Sequence, residues 1–197
     1  GENHPSVASG YYNIGYVYFA QGDYSKALEY FEEVLKIRLS VYGENHSRVA
    51  SVYNDIGEIY SVQGDDFKAL DYFKKSLKIV LSVYGENHSQ VSSIYDHIGE
   101  IYFAQKDYSK ALYYFEESLK IRLSLFGENH PEVALSYYSI GSLYIIQGDK
   151  SKALNYYEKS LKIRLSVYGE NHPLTKEIMD LINVANSKVL QSPETTK

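Results

Sequence analysis

Imidazole can ligate a metal or carry a proton near neutral pH, so recurring histidines are the first candidates for chemistry. His4, His46, His88, His130 and His172 each close a Gly-Glu-Asn-His segment, and these segments recur about every 42 residues. Packed helices lie about 10 Å apart, so one imidazole per repeat cannot converge with its counterparts on a single ion. A loop or capping role is expected for all five, and no metal. His97 stands where the other repeats carry Asn13, Asp55 and Ser139, and reads as a helix-surface or packing residue rather than a base. The absence of cysteine excludes a disulfide framework, a thiolate metal site and a cysteine nucleophile. No Gly-rich phosphate loop and no Ser-His-Asp constellation can be assembled. Neither catalysis nor a cofactor is expected.

The remaining candidates are carboxylates and aromatics. The 197 residues include 22 Tyr, a side chain suited to half-buried packing and wet binding faces. A net charge of -5 argues against a generic nucleic-acid surface, which needs a basic excess, and against an anionic membrane. No apolar run approaches the ~18 residues that span a bilayer. The start, Gly1-Glu2-Asn3-His4-Pro5, has no basic flank or apolar signal core. It opens at the recurring repeat phase without an initiator Met, as a piece cut from a longer array, or a designed array, would.

Two helices per repeat must position these groups. The first begins after His4, with Pro5 in the first turn and Asn3 or His4 as cap. Its apolar stripe is Val7, Tyr11, Ile14, Tyr18, at spacings of four and three. It ends near Gln21, before the Gly22-Asp23 turn; Lys106 replaces that glycine in the third repeat at modest local cost. The second runs from about Tyr24 to Tyr42, with a stripe of Ala27, Phe31, Leu35 and Leu39, and Gly43 stops it. Gly15 and Ala27 lie where the two helices approach closely, with Tyr18 and Phe31 filling the space around them. One such hairpin cannot bury its faces alone, so each stacks on the next. The repeats span 1–42, 43–84, 85–126 and 127–168. A degenerate unit, 169–190, is expected to place a capping helix over about Leu174 to Leu190, with 191–197 expected as a disordered tail.

The pattern Tyr11, Ile14-Gly15, Tyr18, Gly22, Tyr24, Ala27, Phe31, Leu35 resembles tetratricopeptide repeats, most of all the longer variety of kinesin light chains. Ordinary members repeat at about 34 residues and close with a proline about where Leu39 stands. The resemblance covers about residues 1 to 190. It implies an all-α, right-handed superhelical solenoid of helix-turn-helix repeats with a C-terminal capping helix. It also implies a concave groove, lined by the first helices, that holds a peptide segment of a partner. By phase, Tyr12, Tyr16 and Phe19 form an aromatic end of that groove. Asn54, Glu58, Asp96, Glu100 and Phe103 fall in its middle, and Tyr138, Ser142 and Ile145 at an apolar far end. Glu58, Asp96 and Glu100 would steer a partner with Lys or Arg flanked by apolar residues, whose side chains the aromatics would bury.

Chaperone-tail binders of this fold clamp a terminal carboxylate with basic and amide groups. Among Tyr12, Tyr16, Asn54, Ser93 and Asp96 at the compared positions, only Asn54 suits that task. Kinesin light chains take acidic peptides through basic grooves, so their cargo preference does not transfer to an acidic one. The leading expectation is a non-enzymatic, cytoplasmic interaction scaffold that binds a protein or peptide, not nucleic acid or membrane. The alternative is a structural or designed array without a cognate ligand, monomeric or weakly self-associating head to tail.

Overall fold

A computed structural model describes residues 4–187. Within them the chain forms nine α-helices and no strands: α1 (Pro5–Ala20), α2 (Tyr24–Tyr42), α3 (Ser47–Val62), α4 (Asp66–Tyr84), α5 (Ser89–Ala104), α6 (Tyr108–Phe126), α7 (Pro131–Gln147), α8 (Lys150–Tyr168) and α9 (Pro173–Ser187). The expected capping helix is α9; positions 188–190 and the tail lie outside the described residues. No described helix is long and apolar enough to cross a membrane.

Each helix start is fixed by a side chain. His4, His46 and His130 are N-caps whose Nδ1 accepts from the backbone N–H two residues on. His88 and His172 accept in the same way from Gln90 and Leu174. An accepting Nδ1 places the proton on Nε2. Four of these rings also stack on the aromatic that ends the preceding helix, at centroid distances of 4.5 Å on Tyr42, 4.2 Å on Tyr84, 4.4 Å on Phe126 and 4.5 Å on Tyr168. One residue therefore closes one helix and opens the next. His88→Ala is expected to cost about 1 kcal/mol in a urea unfolding titration, because it removes a cap acceptor. Asp23, Asp65, Asp107 and Asp149 cap the second helices, accepting from the N–H three residues on. Lys106 does stand at the turn glycine's position in the left-handed region, at φ 61°.

The chain divides into two compact units, Gly1–Ile101 and Tyr102–Lys197. In the first, α1 packs on α2, α2 on α3, and α3 on α4. Its core gathers Ala27, Phe31, Val34, Ile37, Val52, Ile56 and Ile59. In the second, α6 packs on α7, α7 on α8, and α8 on α9, around Phe115, Val133, Ile140, Leu143 and Ile163.

Two stripe assignments need correcting. On α2 the buried positions are Ala27, Phe31, Val34 and Ile37, while Leu35 and Leu39 are half-buried. This helix is covered from two sides, by α1 and α3, so its apolar arc is wider than one stripe. On α1, Ile14 is 40% exposed although Ile56 and Ile140 are fully buried. Among the described residues α3 packs on both α2 and α4, and α1 packs on α2.

The small residues act as expected. A Cβ on Gly15 would stand 3.2 Å from the Phe31 ring, and one on Gly57 2.9 Å from Phe73. In the second unit a Cβ on Gly141 would approach Tyr157 to 2.7 Å.

Candidate functional site

In the first unit, α1, α3 and α5 present the polar residues, while α2 and α4 supply the packing that holds them. Tyr12 is half-buried, its ring 5.5 Å from that of Phe31. The Arg38 guanidinium lies 4.9 Å over the same ring. The Tyr12 hydroxyl bonds to the Asp55 carboxylate, a residue that sequence reasoning did not single out. Burial pushes the Asp55 carboxyl up to about 7; the Tyr12 hydrogen bond and Arg38 oppose the rise, and the Glu58 charge adds to it. One carboxylate oxygen, Asp55 Oδ2, is buried without a hydrogen-bond partner. Burial, with the Asp55 charge behind it, also raises the Tyr12 phenol.

One turn further along α3, Glu58 Oε1 accepts from Asn54 Nδ2 at 2.6 Å. His97 reaches the same oxygen with Nε2 at 3.4 Å, and its Nδ1 stands 4.0 Å from Glu100. The imidazole lies parallel to the Phe73 ring at 5.1 Å, so His97 is the packing residue expected, with carboxylates at both nitrogens. Partial desolvation raises the carboxyls of half-buried Glu58 and of Glu100, although the Glu100 side chain is 69% exposed. His97 opposes the rise at Glu100, while Asp96 and Glu58 add to it. Three of the expected acidic residues thus form one electrostatic cluster, and Asp55 extends it. The signal for Asp55 was the one carboxylate at the position that reads Asn13, His97 and Ser139 elsewhere.

The expected aromatic end is less uniform. Tyr16 is 57% exposed, with its ring 6.3 Å from Phe19. Phe19 turns to Tyr24 of its own hairpin at 5.8 Å and packs on the core, so it supports the face more than it presents it.

In the second unit, Phe103 meets Tyr108 edge-on at 5.9 Å in the same supporting role. Tyr138 donates from its hydroxyl to Glu177 at 3.1 Å and lies under the Arg164 guanidinium at 5.0 Å. Ser142 accepts from the Tyr157 hydroxyl at 3.1 Å, and Ile145 is 37% exposed. Tyr138 and Ser142 are therefore already engaged within the unit. Among the described residues no group of three or more His, Cys, Asp or Glu could hold a metal ion.

The sequence model of the tetratricopeptide repeat matches residues 6–80, 48–124 and 90–166 in overlapping register. No curated protein sequence matches the chain. Among solved structures, BtubC (BKLC) from P. vanneervenii is similar, with a TM-score of 0.75 and 27% identity over 85% of this chain and 66% of that one. A Podosopora anserina protein assigned to the kinesin light chains, with nearly identical TPR-like repeats, gives 0.74 at 16% identity, covering 96% of this chain and 99% of its own. The apo form of RapI gives 0.78 at 18% identity, covering 93% and 64%. At those lower identities the likeness is one of fold.

Proposed function

Because the chain belongs to the tetratricopeptide repeat family, we propose that it is a non-enzymatic interaction scaffold whose first unit binds a basic segment of a partner protein. The observation that carries this reading is the convergence of Glu58 and Glu100, from α3 and α5, on the two nitrogens of His97. Asp96 and the half-buried Asp55 lie alongside in the same electrostatic cluster. Carboxylates held above their ordinary range by desolvation gain when a cation arrives, because it offsets the charge that burial penalises. Tyr16 offers exposed aromatic area for the apolar residues beside that cation. In the second unit, Ile145 supplies apolar surface of the same kind, and Tyr138 and Ser142 set its shape. The partner is a protein or peptide rather than nucleic acid or membrane, and the place of work is the cytoplasm, typical of the family.

Fluorescence anisotropy with a labelled peptide carrying Lys or Arg between aromatic residues tests the reading. Changing Glu58, Asp96 and Glu100 to their amides is expected to weaken binding at least tenfold, about 1.4 kcal/mol. Raising the salt concentration should weaken the parent more than the amide variant. Equal affinity of the two proteins would count against the reading.

A further inference from the structure

One position on the second helix of each repeat reads Arg38, Val80, Arg122 and Arg164. In the first unit, Arg38 Nη1 donates to the Arg48 carbonyl at 2.7 Å and to Ser51 Oγ at 3.0 Å. In the second unit, Arg164 reaches the matching carbonyl, of Leu174, and the side chain of Glu177. Arg122 is held by Ser136 Oγ at 2.8 Å and Glu132 at 3.0 Å. In three repeats, then, the chain's own guanidinium fills the space between its hairpin and the next first helix.

The second repeat has Val80 there, and a cavity of about 100 Å³ lies beside it, lined by Ser51, Asn54, Ser76, Gln90, Ser93 and Ile94 as well. Val80, Ser76 and Ile94 are buried and form its floor, while Gln90 and Ser93 are exposed at its mouth. The groups that would receive a guanidinium are still in place. Gln90 and Ser93 stand at the repeat positions of Arg48 and Ser51. Ser93 Oγ donates to the Ser89 carbonyl at 3.1 Å, which leaves its lone pairs to accept, much as Ser51 accepts Arg38 while donating to Arg48. On the opposite wall, Asn54 Oδ1 is buried with no hydrogen-bond partner, because the amide nitrogen is committed to Glu58. An orphaned buried acceptor costs stability until a donor reaches it. A guanidinium has four heavy atoms and five N–H donors in a plane, and a space that would otherwise hold a few waters admits it.

We infer that this cavity is an arginine subsite: the guanidinium of an arginine on the partner enters beside Val80 and takes the place that Arg38, Arg122 and Arg164 fill in the other repeats. The inference deepens the proposed binding of a basic segment and rests on it. It adds that arginine is preferred over lysine, because the acceptors are spread over two walls and suit a planar fork better than a point charge. Glu58, bonded to Asn54, supplies the negative charge just behind the acceptor.

The test is a titration of the whole chain with Nα-acetyl-arginine amide, followed by two-dimensional amide NMR. Saturable shifts are expected at the Asn54 side-chain amide and along Gln90–Ile94, with the lysine analogue several-fold weaker. Val80→Arg, which lets the chain fill its own cavity, should weaken the arginine probe at least tenfold. Ser93→Leu, which copies Leu135 of the fourth repeat, should do the same from the other wall and serves if Val80→Arg does not fold. Equal shifts in the parent and a folded variant, or shifts spread over acidic helix surfaces without saturation, would overturn the subsite. A basic peptide that binds parent and Val80→Arg equally, yet is lost on amidating Glu58, Asp96 and Glu100, would sink the subsite and leave the broader reading standing. Loss of all basic-peptide binding in the parent, with the probe still seated beside Val80, would do the reverse.

Discussion

Replacing Asp55 with Asn is expected to stabilise the protein above neutral pH and to leave it nearly unchanged in acid. Folding lifts this carboxyl from 3.8 to about 7, chiefly by burial. The folded chain therefore holds its proton more tightly than the unfolded chain does. The favourable contribution of the protonated group is complete below about pH 4 and is lost as pH rises through about 7. Above that, the fold carries a buried charge whose cost is on the order of 4 kcal/mol at most, taking about 1.4 kcal/mol per pH unit of displacement. Asn keeps an acceptor for the Tyr12 hydroxyl and removes the charge. Urea titrations at pH 5 and pH 8 should show a gain of about 2 kcal/mol or more at pH 8 and a much smaller one at pH 5. A uniform loss at both would mean that the charge itself is used structurally, through Arg38. On the proposed reading, binding of a basic peptide should strengthen between pH 5 and pH 8, as the raised carboxyls lose their protons.

The second large effect concerns Gly57. Its Cα faces the Phe73 ring so closely that a Cβ would sit 2.9 Å from two ring carbons. Phe73 is fully buried and stacked on His97, and so has nowhere to go. Gly57→Leu is expected to cost about 3 kcal/mol or more through overpacking and to displace His97 from Glu58, weakening peptide binding as well. Gly10 is the control, because it lies in α1 with nothing within 4 Å of a built Cβ. Gly10→Ala should gain up to about 1 kcal/mol from helix propensity alone. Thermal melts of the two variants beside the parent decide the matter. A neutral Gly57→Leu would mean that the α3–α4 spacing is not set by this contact.

Most of the fold was legible in the sequence, and for a physical reason. A motif repeated in phase fixes helix length, turn position and packing face together, so α1 and α2 begin and end as the spacing predicts. The double coverage of α2 was not legible, because a stripe read along one helix does not say how many neighbours it has. Ile14 misled for the same reason: its repeat position is a packing position, but burial depends on what lies next to it. The polar cluster was half legible. Glu58, Asp96 and Glu100 were found by phase, since they vary where packing residues cannot. Asp55 was passed over, and His97 was read as a helix-surface or packing residue without its carboxylate partners, because each looked singular within its own helix. Their meaning comes from contacts across helices, Asp55 to Tyr12 and His97 to Glu58 and Phe73, which no spacing along one helix records. Val80 also needed the structure: one apolar residue in a column of arginines reads as a harmless substitution until the cavity beside it is seen.

The central claim is that the first unit recognises basic segments through its clustered carboxylates. Selection from a randomised peptide library, at low and high salt, tests it most directly when the parent is run beside the Glu58, Asp96 and Glu100 amide variant. The expected result is enrichment of peptides with arginine or lysine between apolar or aromatic residues, sharper at low salt and lost in the variant. Enrichment that the variant retains, or none at all from a well-folded parent, would contradict it.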